Sequence, residues 1–285
     1  MARSAPVDGF SLAYDRAGAG PPVVLLHGWP GDRTDYADVV PLLTGAADVV
    51  VPDLRGFGES DKHPEPPAVA YSAAAQARSV VGLIDELGLE LPLIAGYDIG
   101  SRIAQAIARE HPEKIRALVL SPPLPGAGKR VLSPGAMREF WYQSFHQLSL
   151  VEELLDGDPV AVRAYLAHFW NHWSGPAFTP GDARLDHHAA HYGEPGAMTA
   201  SIAWYRAGSG MIASSLAEEE PAREDRIAAP TFVLWQEHDP LFSRAWSDRL
   251  DAFFADVELA ALDGVGHFTP VEAPQAFATA IRERL

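Results

Sequence analysis

The sequence predicts an α/β fold: a mostly parallel, doubly wound sheet flanked by helices, with an inserted helical cap, or lid. Three observations carry that expectation. Short apolar runs recur along the 285 residues and each ends at a loop; helical patterns stand between them; and the alternation stops over residues 126–223, where the chain turns helical in tone and rich in aromatics.

Taken in order, the apolar runs are "PVVLLHG" at 22–28, "ADVVVPDLRG" at 47–56, "LPLIAG" at 91–96, "IRALVLSP" at 115–122, "PTFVLWQEHD" at 230–239 and "VELAALDG" at 257–264. Their apolarity is continuous rather than alternating, which suits strands covered on both faces. Between the second and third runs, "YSAAAQARSVVGLIDELG" (71–88) repeats apolar residues at three- and four-residue spacing through Val80, Leu83, Ile84 and Leu87, with Gly88 as a stop. The segment 126–223 is punctuated by "SPG", "GDP", "SGP", "TPGD" and "GEPG" and holds 12 of the 27 aromatics. An aromatic helical insertion between two strands suits a lid over a pocket, although most of those rings have the lobe's own core to pack. The expected division is a core over 1–125 and 224–285 with the cap at 126–223.

Composition narrows the function. The formal net charge is −16 and the basic residues are scattered, which speaks against nucleic acid and against anionic membrane surfaces as partners. The absence of cysteine removes disulfides, thiolate catalysis and cysteine-ligated zinc. The opening "MARSAPVDGFSLAYD" lacks the apolar core of a signal peptide, and no apolar run approaches a membrane span, so a soluble cytoplasmic protein is expected. The sequence leaves a homodimer open.

"LIAGYDIGS" (93–101) sets an aspartate between two glycines at the junction of an apolar strand and the helical stretch "SRIAQAIAREHPEK". That is the context of a nucleophile elbow, whose tight turn leaves no room for side chains at Gly96 and Gly100. The residue in the elbow decides the chemistry. A serine attacking saturated carbon would form an ether that water does not cleave, whereas the Asp98 carboxylate forms an ester that water hydrolyses. "HDPLF" places Asp239 after the next-to-last strand and "GVGHF" places His267 after the last, giving the chain order nucleophile, acid, histidine. His267 then activates water while Asp239 fixes its tautomer. Glu237 competes with Asp239 for the acid's place. The ester's oxyanion needs two backbone N–H groups, expected from Ile99 and from Trp29 of "HGWP"; His27 of that loop is expected to hold its shape.

Together "HGWP", "DLRGFGESDKH", "GYDIG", "HDPLF" and "GVGHF" resemble the epoxide-hydrolase and dehalogenase branch of the α/β-hydrolase family, over essentially the whole chain. Haloalkane dehalogenases carry tryptophan after the nucleophile, where this chain has Ile99; fluoroacetate dehalogenases carry two arginines there, of which only Arg102 is present. Epoxide hydrolases of the branch use two lid tyrosines to hold the ring oxygen, and "REFWYQSFHQL" (138–148) and "SIAWYRAG" (201–208) resemble those segments, with Tyr142 and Tyr205 in the matching places. The resemblance thus implies hydrolysis of a small apolar epoxide to a vicinal diol without any cofactor. It also points to Trp29, Trp141, Phe145, Trp204 and Phe268 as substrate contacts. A dehalogenase with the same triad is the alternative, and a non-catalytic small-molecule receptor on the same fold a remote one. His168 and His172 stand four apart, with His187, His188 and His191 following; the mechanism needs no metal, and none is expected.

Overall fold

A computed structural model describes all 285 residues, Met1–Leu285. Eight strands form a single sheet: β1 (Ala2–Arg3), β2 (Ala13–Gly18), β3 (Pro22–Leu26), β4 (Asp48–Pro52), β5 (Leu93–Gly96), β6 (Ala117–Leu120), β7 (Thr231–Gln236) and β8 (Val257–Leu262). Their spatial order is β1-β2-β4-β3-β5-β6-β7-β8. Every pair from β4 to β8 is parallel, and the order reverses around β3, the mark of a doubly wound sheet. All six apolar runs form strands. β3 to β6 are buried almost throughout, but β8 is the sheet edge and half open to solvent, so continuous apolarity there did not mean cover on both faces.

The antiparallel β1–β2 ribbon on the other edge has no counterpart in the apolar pattern. Its second strand, AYDRAG, buries Ala13 and Tyr14 and exposes Asp15 and Arg16, so it reads from sequence as polar chain.

The helix Ala73–Glu86 begins where the Ser72 hydroxyl accepts from the Ala75 N–H (3.3 Å). It ends at Gly88, whose φ of +62° lets Leu89 N–H reach the Ile84 carbonyl (3.0 Å) and its own N–H reach that of Asp85 (3.2 Å), a Schellman closure. No strand occurs between β6 and β7; that stretch is a series of helices, chiefly Trp141–Phe145, Pro159–Trp173, Asp182–Tyr192 and Ala197–Arg206. Buried residues of these helices, among them Leu166, Trp170 and Ile202, belong to the same apolar cluster of 72 residues as the sheet. No helix is long and apolar enough to cross a membrane.

Candidate active site

The carboxyl ends of β5, β7 and β8 bring the three predicted catalytic residues together, as expected for loops at the switch of a doubly wound sheet. Asp98 sits between β5 and the helix Ile99–Glu110 with φ +48° and ψ −125°, a strained conformation for a residue with a side chain. The glycines permit the turn: a Cβ on Gly100 would lie 2.1 Å from the Leu26 carbonyl oxygen, and one on Gly96 would lie 2.6 Å from the Gly100 backbone. Asp98 does not cap the helix it precedes. Its Oδ2 instead accepts the Trp29 N–H (2.8 Å), and the Ile99 N–H also favours the ionised carboxylate. Burial outweighs these donors and the nearby His267, so the Asp98 carboxyl is held above the usual carboxylate range.

His267 is fully buried, with its Nδ1 2.9 Å from Asp239 Oδ2. Asp239 Oδ1 accepts from the Leu241 N–H (2.9 Å), so the carboxylate is fixed at both oxygens and presents one of them to the imidazole. This contact sets the tautomer: Nδ1–H donates to Asp239 and Nε2, which has no protein partner, faces Asp98 Oδ1 at 3.9 Å. That gap exceeds a direct hydrogen bond and suits a water activated by Nε2 beside the Asp98 carbonyl carbon. Burial alone would lower the His267 pKa, but the Asp239 charge and hydrogen bond, helped by Asp98, raise it above the ordinary imidazole value. Glu237 is turned away to accept the Gly264 N–H (2.8 Å), half exposed.

His27 accepts the Leu54 N–H at Nε2 (3.0 Å) and its Nδ1 lies 2.9 Å from the Gly28 carbonyl, so it ties the Trp29 loop to the end of β4. Above Asp98, Tyr142 and Tyr205 meet edge to face with ring centroids 5.5 Å apart, and the Trp29 indole lies parallel to Tyr142 at 5.5 Å. Burial first, and the Asp98 charge with it, push both phenols well above the usual tyrosine range, so both remain protonated far into the alkaline range. With Ile99, Arg102, Pro123, Gln143, Trp204 and Met211 they wall a cavity at Asp98 whose free volume is ≈ 10 Å³, about that of one water.

A family model described as alpha/beta hydrolase fold matches residues 21–274. The chain belongs to the α/β-hydrolase fold family. It is 27% identical over 278 residues to the soluble epoxide hydrolase of Corynebacterium sp. (strain C12), covering 95% of this chain and 92% of that one. It is 28% identical over 279 residues to haloalkane dehalogenase 2 of Mycobacterium tuberculosis (strain ATCC 25618 / H37Rv), covering 96% and 91%. Among solved structures, the epoxide hydrolase CorEH superposes with a TM-score of 0.82 over 99% of this chain and 96% of that one at 23% identity, a likeness of fold. The protein is therefore a hydrolase of this superfamily, and the relatives it resembles include both epoxide hydrolases and dehalogenases.

Of the substrate contacts anticipated for this α/β hydrolase, only Trp204 lies on the cavity. The Trp29 indole forms a wall behind Tyr142. Trp141 is 42% exposed and stacks on Phe169, away from Asp98. Neighbouring residues of a helix point about 100° apart, so a short helix that turns Tyr142 inward turns Trp141 outward. Phe145, four residues on, packs with Trp141 and Tyr165. Phe268 is consumed by a stack on Trp170 at 3.7 Å. These three do not line the cavity: Trp141 and Phe145 pack within the cap, and Phe268 packs between the His267 loop and the cap.

The hydrolase also recruits residues that sequence reasoning passed over. Gln143 donates to the Tyr142 oxygen (3.3 Å) and accepts the Ile212 N–H (3.2 Å). Phe242 lines the cavity and stacks near His267. Trp173 accepts the His267 N–H at its carbonyl (2.7 Å) and places its ring between His267 and Tyr142. Glu272 accepts from Gly266, Phe268 and Gly175, joining the histidine loop to the insertion. Of these only Phe242 stands in a motif, as the last residue of "HDPLF"; the others carry no signal in the sequence.

Proposed function

We propose that this protein hydrolyses an epoxide to a vicinal diol through an ester on Asp98. The observation that carries the reading is the pair of buried, protonated phenols, Tyr142 and Tyr205, on the same cavity wall as the Asp98 carboxylate. Oδ2 is engaged by Trp29, so Oδ1 attacks a ring carbon. As the C–O bond breaks, the ring oxygen takes a proton from one phenol while the other stabilises the charge. His267 Nε2 then removes a proton from water, the hydroxide adds to the Asp98 carbonyl carbon, and the resulting oxyanion rests on the Trp29 and Ile99 N–H groups. Collapse of this intermediate breaks the ester C–O bond, and the leaving alkoxide takes the proton of the added hydroxyl, so the diol departs and Asp98 is left as the carboxylate. The proton on His267 returns to the tyrosinate, and enzyme and charge are restored.

The test is a panel of small epoxides with wild type, Asp98→Asn and a Tyr142→Phe/Tyr205→Phe double variant, scored by diol. Wild type should form diol and both variants should lose it. In a single turnover in ¹⁸O-water the first diol should be unlabelled, since its new oxygen comes from Asp98. The dehalogenase reading uses the same triad, but the residue after the nucleophile, Ile99, offers a leaving halide no side-chain donor. Halide release from chloro- or fluoro-substrates without diol from any epoxide would establish it instead.

A further inference from the structure

We propose that Asp32, His187 and His188 form a binding site for a single divalent transition-metal ion of the zinc type, joining the cap to the loop that carries Trp29. His187 Nε2 lies 2.7 Å and His188 Nδ1 3.7 Å from Asp32 Oδ2, and one ligand atom from each of the three falls within 4.8 Å of the others. Ligands at about 2.0–2.2 Å from zinc stand roughly 3.3–3.5 Å apart around a tetrahedron, so the closest pair must part by roughly 0.7 Å and the widest close by at most about 1.5 Å. Two imidazoles and a carboxylate are donors that zinc-type ions accept.

The independent observation is His188. Its side chain is fully buried, and neither ring nitrogen has a hydrogen-bond partner. Wholly buried imidazoles are ordinarily bonded at one nitrogen or both. The ring stacks on Trp170, but protein contacts leave both its nitrogens unbonded, and an ion in the gap would satisfy one of them. The surroundings fit as well. His188 Nε2 faces Asp35 Oδ1 at 3.7 Å, beyond hydrogen-bond reach but near enough for that carboxylate to close on and orient the ring once Nδ1 ligates. Asp32 is fixed through Oδ1, which accepts from the Thr34 N–H (2.8 Å) and hydroxyl, leaving Oδ2 to ligate.

The three carboxylates Asp32, Asp35 and Asp53 face two arginines, Arg33 paired with Asp53 and Arg184 paired with Asp35, and the His187 imidazole hydrogen-bonded to Asp32; a dication would displace the proton of that contact and take its place against Asp32. Access exists too, since His187 is one-third exposed and lines an open surface groove with Thr34, Phe178 and Arg184. This assigns the ion to a place other than the His168/His172 pair, where His172 is bonded instead to Glu139 (2.7 Å).

The experiment is equilibrium dialysis of the EDTA-treated full-length protein against zinc chloride, with cobalt(II) spectra as a second readout. Wild type should saturate at one equivalent per chain, and the cobalt form should show intense tetrahedral visible bands. His187→Ala, at the surface and tolerant of truncation, and the near-isosteric Asp32→Asn should each weaken binding more than roughly 100-fold; Asp35→Asn, behind the ligands, should weaken it roughly 10- to 100-fold. A His168→Ala/His172→Ala double variant should bind as wild type. Absence of stoichiometric zinc, retention of full affinity in His187→Ala and Asp32→Asn, or loss only in the His168/His172 variant would overturn the site.

Discussion

Asp98 combines two properties that normally oppose each other: a carboxylate raised by burial, and two backbone donors that hold it ionised and aimed. Removing its charge leaves nothing to attack carbon, so Asp98→Asn should reduce turnover to background, measured as product formed per active site. His267→Gln separates the steps. The first should proceed and the second stall, leaving a covalent adduct of substrate mass that intact-protein mass spectrometry detects; loss of a general base is worth roughly 10²–10⁴-fold. The pH profile follows from the same residue. Water activation needs neutral His267, whose pKa Asp239 holds above that of a free imidazole. Activity is therefore complete above that raised value and lost as pH falls through it, and the acid limb should lie above the ordinary histidine range. Tyr142 and Tyr205 stay protonated, so no alkaline limb should appear below about pH 10, the ordinary phenol value. A wild-type kcat profile from stopped-flow data measures both limbs. The convergence of Asp98, Asp239 and His267 was legible in sequence because each stands at a strand end in a fixed order; the places of Gln143 and Trp173 were not, because they come from where the cap settles.

At the scale of elements, the elbow is the place where packing leaves least tolerance. Gly100 lies against the β3 backbone, and the missing Cβ is what allows the helix Ile99–Glu110 to start where it does. Gly100→Ala should force that helix outward, costing on the order of 1–3 kcal/mol or more in stability. Activity should fall further than stability, since the Ile99 N–H moves with the helix; urea unfolding set beside specific activity tests this. The difference between legible and illegible elements has the same origin. Parallel strands covered by helices announce themselves by unbroken apolarity, as β3 to β6 do. The β1–β2 ribbon is held by backbone pairing and a single buried face, which a run of apolar residues cannot reveal. In the cap, the aromatic count indicated a lid but not the rotation of each short helix, which is why Trp141 and Phe145 face away from Asp98 while Tyr142 faces it.

At the scale of the molecule, the cap and the sheet share one apolar core rather than meeting across a wet interface. Trp170 is the joint. It is fully buried on the helix Pro159–Trp173, stacks on Phe268 next to His267, and donates its indole N–H to the Pro30 carbonyl beside Trp29 (3.1 Å). A single side chain from the insertion thus supports both the loop of His267 and the loop of Trp29. Truncating it opens a cavity under both and leaves the Pro30 carbonyl unpaired, a loss of about 3–5 kcal/mol for a buried large aromatic. Because the core is continuous, that loss should lower the stability of the whole chain instead of freeing the cap. Trp170→Ala should unfold in one transition, displaced to lower denaturant, with far-UV circular dichroism and tryptophan fluorescence coinciding. Two separated transitions, with the sheet unfolding at its wild-type midpoint, would mean that the cap is an independent unit. The cavity at Asp98 would then be closed by a lobe free to leave it, and not, as the shared core requires, by local movement of cap side chains and short helices.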